Sequence, residues 1–219
     1  MNIEYANYDI ASNEQEFKEN INAAIKYKPS VISVLPSFIK LAKSSLAAET
    51  DSLIKLAAII DYPLGVMDNI ERKNCLIRAM DNGAQIIEMV VPSYLLCNRR
   101  YEKLKQDIVS SAELCEAAKV EVRYVFDYSV FNQETVIKAS HLLHNNKINT
   151  ILMSTAFRLD DIADHIIAAS VVKKKIKDLN IIINGNIWNS RHIELIKKIE
   201  NLESVRCYSI NSLDKLANM

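Results

Sequence analysis

The sequence predicts an α/β fold, a (β/α)₈ barrel, and three observations predict it. Eight short runs rich in β-branched residues alternate with longer amphipathic stretches. Successive runs start roughly 25–35 residues apart, the length of one strand–helix unit. The turn after the second run is Pro36-Ser37-Phe38, where an open dinucleotide-binding sheet needs glycines, and the sequence contains no P-loop. Alternation alone suits either a closed barrel or an open doubly wound sheet. The missing glycine signatures favour the barrel, whose active site lies at the C-terminal ends of its strands.

In chain order the expected strands are Ile3–Asn7, Val31–Leu35, Leu56–Asp61, Ile86–Val91, Val120–Asp127, Asn149–Met153, Asn180–Asn184 and Val205–Ser209. Helical patterns lie between them. Glu14–Lys26 carries Phe17, Ile21, Ala24 and Ile25 on one face, and Tyr101–Lys119 carries Leu104, Ile108, Ala112 and Cys115 at spacings of three and four. Ile162–Leu179 has apolar residues at Ile162, Ile166, Ile167 and Val171, then Lys173-Lys174-Lys175. On a helix those three lysines point in different directions in a last turn, where cations complement the macrodipole, so a solvated helix end is expected. No linker rich in Pro, Gly or Ser interrupts the pattern, and residues 1–219 read as one domain.

Composition removes several function classes. Lys and Arg number 27, as do Asp and Glu, so no global field favours nucleic acid or an anionic membrane. No apolar run approaches the roughly 20 residues of a membrane span. The N-terminus Met1-Asn2-Ile3-Glu4-Tyr5 lacks the basic and apolar regions of a secretory signal, so a cytoplasmic protein is expected. Cys75, Cys97, Cys115 and Cys207 form no CxxC pair and have no histidine at metal-ligand spacing, so free thiols are expected. His141, His144, His165 and His192 fall in helical stretches and read as surface or helix-end residues. Only Gly65, Gly83 and Gly185 are present, which leaves little material for a phosphate cradle of backbone amides. Asn is abundant and can take over some left-handed positions.

Several segments, in order, carry a family resemblance. Pro36-Ser37-Phe38-Ile39-Lys40-Leu41-Ala42 is similar to Pro-Ser-Phe-Val-Lys-Leu-Ala of deoxyribose-phosphate aldolases. Ile60-Asp61-Tyr62-Pro63-Leu64-Gly65 resembles their Ile-Gly-Phe-Pro-Leu-Gly. Asn82-Gly83-Ala84 followed by Glu88-Met89-Val90, then Tyr101-Glu102 and Asp107-Ile108, then Ser154-Thr155-Ala156-Phe157 and Gly185-Asn186-Ile187, continue the match over roughly residues 3–212. The resemblance implies a class I aldolase barrel, in which a lysine amine forms a Schiff base with the substrate carbonyl.

The resemblance also implies that this chemistry is missing. Met153 stands at the nucleophile's place and Ile182 at that of the second lysine, which lowers the pKa of the first. A thioether cannot form an imine. Glu88 replaces the proton-relay aspartate, Arg123 replaces a further strand lysine, and Asp127 stands for a glutamate. These three are the candidate catalytic residues. Ala156, Gly185, Asn186, Ser209 and Asn211 fall at the phosphate-binding positions, with most of the family's glycines gone. Lys40, Lys43, Lys55 and Lys73 fall on or beside predicted helices, so none replaces the nucleophile.

Period-2 phase from these positions turns Ser33, Asp61, Glu88, Arg123, Asp127, Met153, Ile182 and Asn184 towards the mouth. Glu88 and Arg123, on neighbouring strands, are expected to form a buried ion pair. Asp61, Glu88 and Asp127 are hard oxygen donors, yet nothing in their spacing demands a metal; no metal or cofactor is expected. The resulting expectation is an aldolase-like protein without Schiff-base activity, acting as a small-molecule-binding or regulatory homologue. The alternative is a lysine-independent lyase or isomerase acting on a sugar phosphate or small carbonyl compound, with Glu88 or Asp127 as acid/base. The expected partners are a small phosphorylated or carbonyl ligand and a second copy in a homodimer, with neither nucleic acid nor membrane.

Overall fold

The computed structural model describes residues 1–48, 53–158, 161–199 and 202–219. Eight parallel strands close into a barrel in sequence order. They are β1 (Asn2–Asn7), β2 (Val31–Val34), β3 (Lys55–Ile60), β4 (Ile86–Val90), β5 (Glu121–Val125), β6 (Thr150–Leu152), β7 (Asn180–Asn184) and β8 (Ser204–Cys207). Closure is made by β1 on β8, with Glu4 opposite Arg206, and β4 on β5 sets Glu88 opposite Arg123. Each expected strand is present, within two residues at either end. Lys55 corrects an expectation: it opens β3, at the barrel's N-terminal end, and is a strand residue.

Helices α1 (Glu14–Ile25), α2 (Ile39–Ala47), α3 (Asn69–Asp81), α4 (Ser93–Cys97), α5 (Tyr101–Ala117), α6 (Gln133–Asn145), α7 (Ile162–Lys175), α8 (Ser190–Lys197) and α9 (Ile210–Ala217) surround the barrel. Their starts are chemically marked. Asn13 caps α1 in a capping box with Glu16, and Asp68, Asn132, Asp161, Asn189 and Ser209 cap α3, α6, α7, α8 and α9 through side-chain oxygens. In α1 the buried face is Phe17, Ile21, Ala24 and Ile25, as the spacing predicts. Helix α7 stops at Lys175, short of the expected Leu179; Ile176 and Leu179 are buried in the connection instead.

Most of the core lies between sheet and helices, where outward strand residues such as Ile87, Met89 and Tyr124 meet the helix faces. A smaller layer, Ile59, Val90, Val125, Leu152 and Ile182, packs inside the barrel. Few of the left-handed turns use glycine. Among the described residues, Lys28, Asp61, Arg99, Lys119, Lys147 and Ala156 have φ between 49° and 67°. None is an asparagine, so the expected substitution of Asn for Gly at such positions does not occur there.

Candidate functional site at the barrel mouth

Two levels of the barrel interior decide what the site can do. The lower level is charged. Arg206 of β8 lies wholly buried between Glu4 and Glu88. It donates from Nε and Nη2 to Glu4 Oε2 at 3.1 and 2.6 Å. It donates from Nη1 to Glu88 Oε2 at 2.7 Å, and from Nη2 to Glu88 Oε1. Ser33 Oγ and the Tyr8 hydroxyl also donate to Glu88 Oε2, at 2.7 and 3.2 Å. Arg123 bonds to Glu4 at 3.0 Å and to Glu121 at 2.7 Å, while its guanidinium comes only to 3.8 Å from Glu88. The expected Glu88–Arg123 ion pair is thus present but secondary, because the main partner of Glu88 is Arg206. Neighbouring strands set these two Cα atoms side by side, but in a narrow closed barrel long side chains meet across the axis.

Burial alone would raise the pKa of Glu88; the Arg206 guanidinium, then Arg123, outweighs it and holds the carboxyl below its usual value. Glu88 is therefore an ionised, fully bonded anion, a poor general base. Burial and the adjacent Glu88 push the Tyr8 hydroxyl well above the ordinary tyrosine value. Tyr8 stays protonated and donates to the cluster.

The second level is apolar and covers the first. Here the structure corrects the assignment of the nucleophile's place. Met153 is fully buried among residues between sheet and helices and does not face the mouth. The inward residue at this level of β6 is Leu152, in register with Val125 on one side and Ile182 on the other. Successive strand residues point to opposite faces, so a one-residue offset reverses the direction. Ile182 does point inward, as expected. Where an imine-forming lysine would need to stand, the barrel holds Leu152 against Ile182. No lysine is among the buried residues of the described chain.

Above this layer the strand ends carry the polar groups. Asp127 accepts from Ser154 Oγ at 2.9 Å, Thr155 N at 2.8 Å and Thr155 Oγ1 at 2.9 Å. Its carboxylate clamps the β6 loop. Asp61 corrects another expectation. In a left-handed conformation, it turns away from the mouth onto Arg72 of α3 and accepts from Val66 N and Met67 N at 2.9 and 3.0 Å. Arg72 is held in turn by Asp107 through two bonds of 3.1 Å. Asp61, Glu88 and Asp127 thus face different partners, and among the described residues no group of three His, Cys, Asp or Glu side chains could hold a metal ion.

A cavity of about 230 Å³ opens between the ends of β1, β6, β7 and β8. Tyr8, Tyr62, Tyr208 and Trp188 form its aromatic walls, and Arg158 supplies a cation. Tyr8 packs on Tyr62 and Tyr208 with ring centroids at 4.8 and 5.8 Å. Among the described residues, two lining asparagines keep a buried polar atom without a hydrogen-bond partner: Nδ2 of Asn7 and Oδ1 of Asn184. Their orientations are fixed by their other atoms. Asn7 Oδ1 accepts from Asp9 N at 3.1 Å, and Asn184 Nδ2 donates to Ser154 O at 2.7 Å and to the Tyr208 hydroxyl at 2.6 Å. Native structures seldom leave such atoms unpaired, so each is a place for a ligand or water to bond.

Of the five phosphate positions, Ala156, Gly185 and Asn186 line this cavity, whereas Ser209 and Asn211 do not. Ser209 caps α9 and Asn211 is exposed on its first turn. Two backbone donors are already engaged: Ala156 N with Ser154 Oγ and Gly185 N with Arg206 O, both at 2.9 Å. Two histidines depart from the surface reading. His165 and His192 are 2% and 4% exposed, and His165 lines the cavity edge-on to Tyr128. Sequence reasoning also passed over Glu4, Arg206 and Arg158. For the first two a signal existed, since each is the only charged residue in an otherwise uncharged strand run and must find a partner inside. Arg158 lies in a loop with no pattern to mark it.

No protein-family model matches the sequence. The resemblance to deoxyribose-phosphate aldolases is shown by curated relatives of that name. The one from Mycoplasmopsis pulmonis is 27% identical over 199 residues, covering 90% of this chain and 86% of its own. That from Thermococcus kodakarensis is 25% identical over 155 residues, 71% of this chain and 69% of its own. Solved structures share the fold. An aldolase designated QR15 superposes with a TM-score of 0.83 at 18% identity, covering 98% of this chain and 94% of its own. The tetrameric deoxyribose phosphate aldolase from Aeropyrum pernix gives 0.80 at 14% identity, covering 98% and 89%.

Proposed function

We propose that this chain is an aldolase homologue without Schiff-base activity that binds a small polar molecule at the barrel mouth. The observation that carries the proposal is Leu152 packed on Ile182 at the inward level where an imine-forming lysine would stand, with no lysine among the described residues that line the cavity above. An apolar pair there supplies neither a nucleophile nor a proton. The two unpartnered amide atoms support binding. Asn7 offers a donor and Asn184 an acceptor, the pair that a hydroxyl or carbonyl compound needs. Arg158 supports a ligand that also carries a negative group, such as a phosphate.

A lysine-independent lyase or isomerase has less support. Glu88 lies beneath the apolar layer, bonded to Arg206, Ser33 and Tyr8, and Asp127 accepts three bonds from its own barrel rim. A cytoplasmic location fits the free cysteines. No helix of the described chain is long and apolar enough to cross a membrane. An assembly of identical copies also fits, given the tetrameric Aeropyrum pernix relative.

The test pairs borohydride trapping with a thermal shift, using deoxyribose 5-phosphate as the probe. The expected result is an unchanged protein mass and a raised Tm, with the Tm gain lost in Asn184→Ala. A borohydride-stable adduct on any lysine would overturn the loss of Schiff-base chemistry. A Tm gain that survives both Asn184→Ala and Asn7→Ala would overturn the placement of the ligand.

A further inference from the structure

Four aromatic side chains from four different strand ends line the mouth cavity: Tyr8 after β1, Tyr62 after β3, Trp188 after β7 and Tyr208 after β8. Tyr8 is the middle of a row, tilted by 48° against Tyr62 and by 52° against Tyr208. Two of the hydroxyls in this row are committed elsewhere. That of Tyr8 bonds with Ser33 and Glu88 in the charged level below, and that of Tyr208 accepts from Asn184 Nδ2. These two rings therefore offer the cavity carbon and not hydroxyl. The same cavity holds, among the described residues, the two amide atoms without a partner, Asn7 Nδ2 and Asn184 Oδ1, in residues 5% and 0% exposed. Asn7 and Asn184 end β1 and β7, the two strands that flank β8.

We propose that the mouth cavity selects an aromatic carboxamide, with its ring against the tyrosine row and its amide group at Asn7 and Asn184. The inference rests on the mouth-binding reading and narrows it to one class of ligand. A carboxamide carries a carbonyl acceptor for Asn7 Nδ2 and an N–H donor for Asn184 Oδ1, so one functional group answers both atoms. A flat ring can join the row in the offset or tilted geometry that aromatic pairs prefer. A polyol suits this wall less well, because a hydroxyl laid on ring carbon gives up water without gaining a bond. The cavity, about 230 Å³, is smaller than the roughly 300–1,000 Å³ of ordinary small-molecule sites, which favours one ring with a small polar group.

Trp188 is the single tryptophan of the chain, so its fluorescence reports on the cavity directly. The test titrates the full chain with benzamide, which is uncharged and makes no use of Arg158. Two controls divide its features: cyclohexanecarboxamide keeps the amide and loses the flat ring, and N,N-dimethylbenzamide keeps the ring and loses the N–H donors. The expected result is a saturable change in Trp188 emission, with benzamide binding about tenfold or more tighter than either control. Asn7→Leu should weaken benzamide about tenfold; should that variant fail to fold, the ligand series on the unaltered chain decides. No binding of benzamide, binding no tighter than that of either control, or binding that a folded Asn7→Leu leaves unchanged overturns the proposal. Deoxyribose 5-phosphate, which can reach the amide atoms and Arg158 without using the rings, separates this proposal from the mouth-binding reading. A Tm raised by deoxyribose 5-phosphate with no benzamide binding overturns the carboxamide and leaves mouth binding in place, whereas no response to either ligand overturns both.

Discussion

Leu152 and Met153 are adjacent, apolar and similar in size, yet they belong to different parts of the protein. Leu152 joins the inner layer with Ile182, while Met153 is buried between sheet and helices. A lysine placed at each should behave differently. Met153→Lys buries an ammonium among apolar groups with no partner, and should cost about 3–5 kcal/mol in urea denaturation. Leu152→Lys puts the amine at the barrel's inner layer, beneath the mouth cavity, and should cost less, about 1–3 kcal/mol. Desolvation against Ile182 lowers the new amine's pKa, which favours imine formation. Borohydride with acetaldehyde should then trap an adduct on Leu152→Lys and none on Met153→Lys. Turnover should remain low, because catalytic groups that act as a unit are not restored singly. An adduct on Met153→Lys would show that residue, and not Leu152, facing the mouth.

At the scale of elements, the strands and the amphipathic helices were legible because their signals are local. β-branched runs and apolar spacing state which residues are buried, and the buried face of α1 follows from spacing alone. The site was less legible because its geometry is not local. Strand phase in the sequence rests on motif position, and an offset of one residue is enough to exchange Met153 for Leu152 on the inward face. Asp61 was assigned to the mouth by the same phase, but its left-handed backbone turns it to Arg72, 11 residues on in the chain. The pairing of Glu88 with Arg206 spans 118 residues, and only barrel closure brings them together. Turn chemistry was legible only in part. Glycine scarcity showed in the composition, but which residues bear left-handed strain did not. Lys119, just past α5, has φ 57° where glycine is the usual residue. Lys119→Gly removes the strain of a side chain there at some cost in unfolded-chain entropy. It should stabilise the protein by about 0.5–1 kcal/mol in chemical denaturation, and a loss of stability would refute the strain.

For the molecule as a whole, the barrel axis is held by a salt-bridge network and not by apolar packing alone. Glu4, Glu88, Arg123 and Arg206 are each at most 7% exposed, so none can fall back on water if a partner is removed. Truncating Arg206 to Met should cost about 3–5 kcal/mol, because Glu4 and Glu88 then repel each other in a low-dielectric interior. The two candidate pairings of Glu88 are separable by double-mutant cycles. Coupling of Glu88 with Arg206 should reach about 2–3 kcal/mol, and with Arg123 less than about 1 kcal/mol, because Arg206 makes direct bonds where Arg123 stays at 3.8 Å. Equal couplings would place the two arginines on the same footing and refute the ranking. The network also sets a pH dependence. The folded-state pKa of Glu88 lies below its unfolded value, with Arg206 overcoming burial. Its contribution is therefore complete above the unfolded glutamate pKa of about 4.3, and is lost as pH falls from there through the folded value. Stability measured by urea denaturation from about pH 6 to pH 3 should fall on the acid side, with a slope that Glu88→Gln reduces by up to about 1.4 kcal/mol per pH unit. An unchanged slope in Glu88→Gln would mean that Glu88 takes up no proton on unfolding in acid, and would remove the network's claim on acid stability.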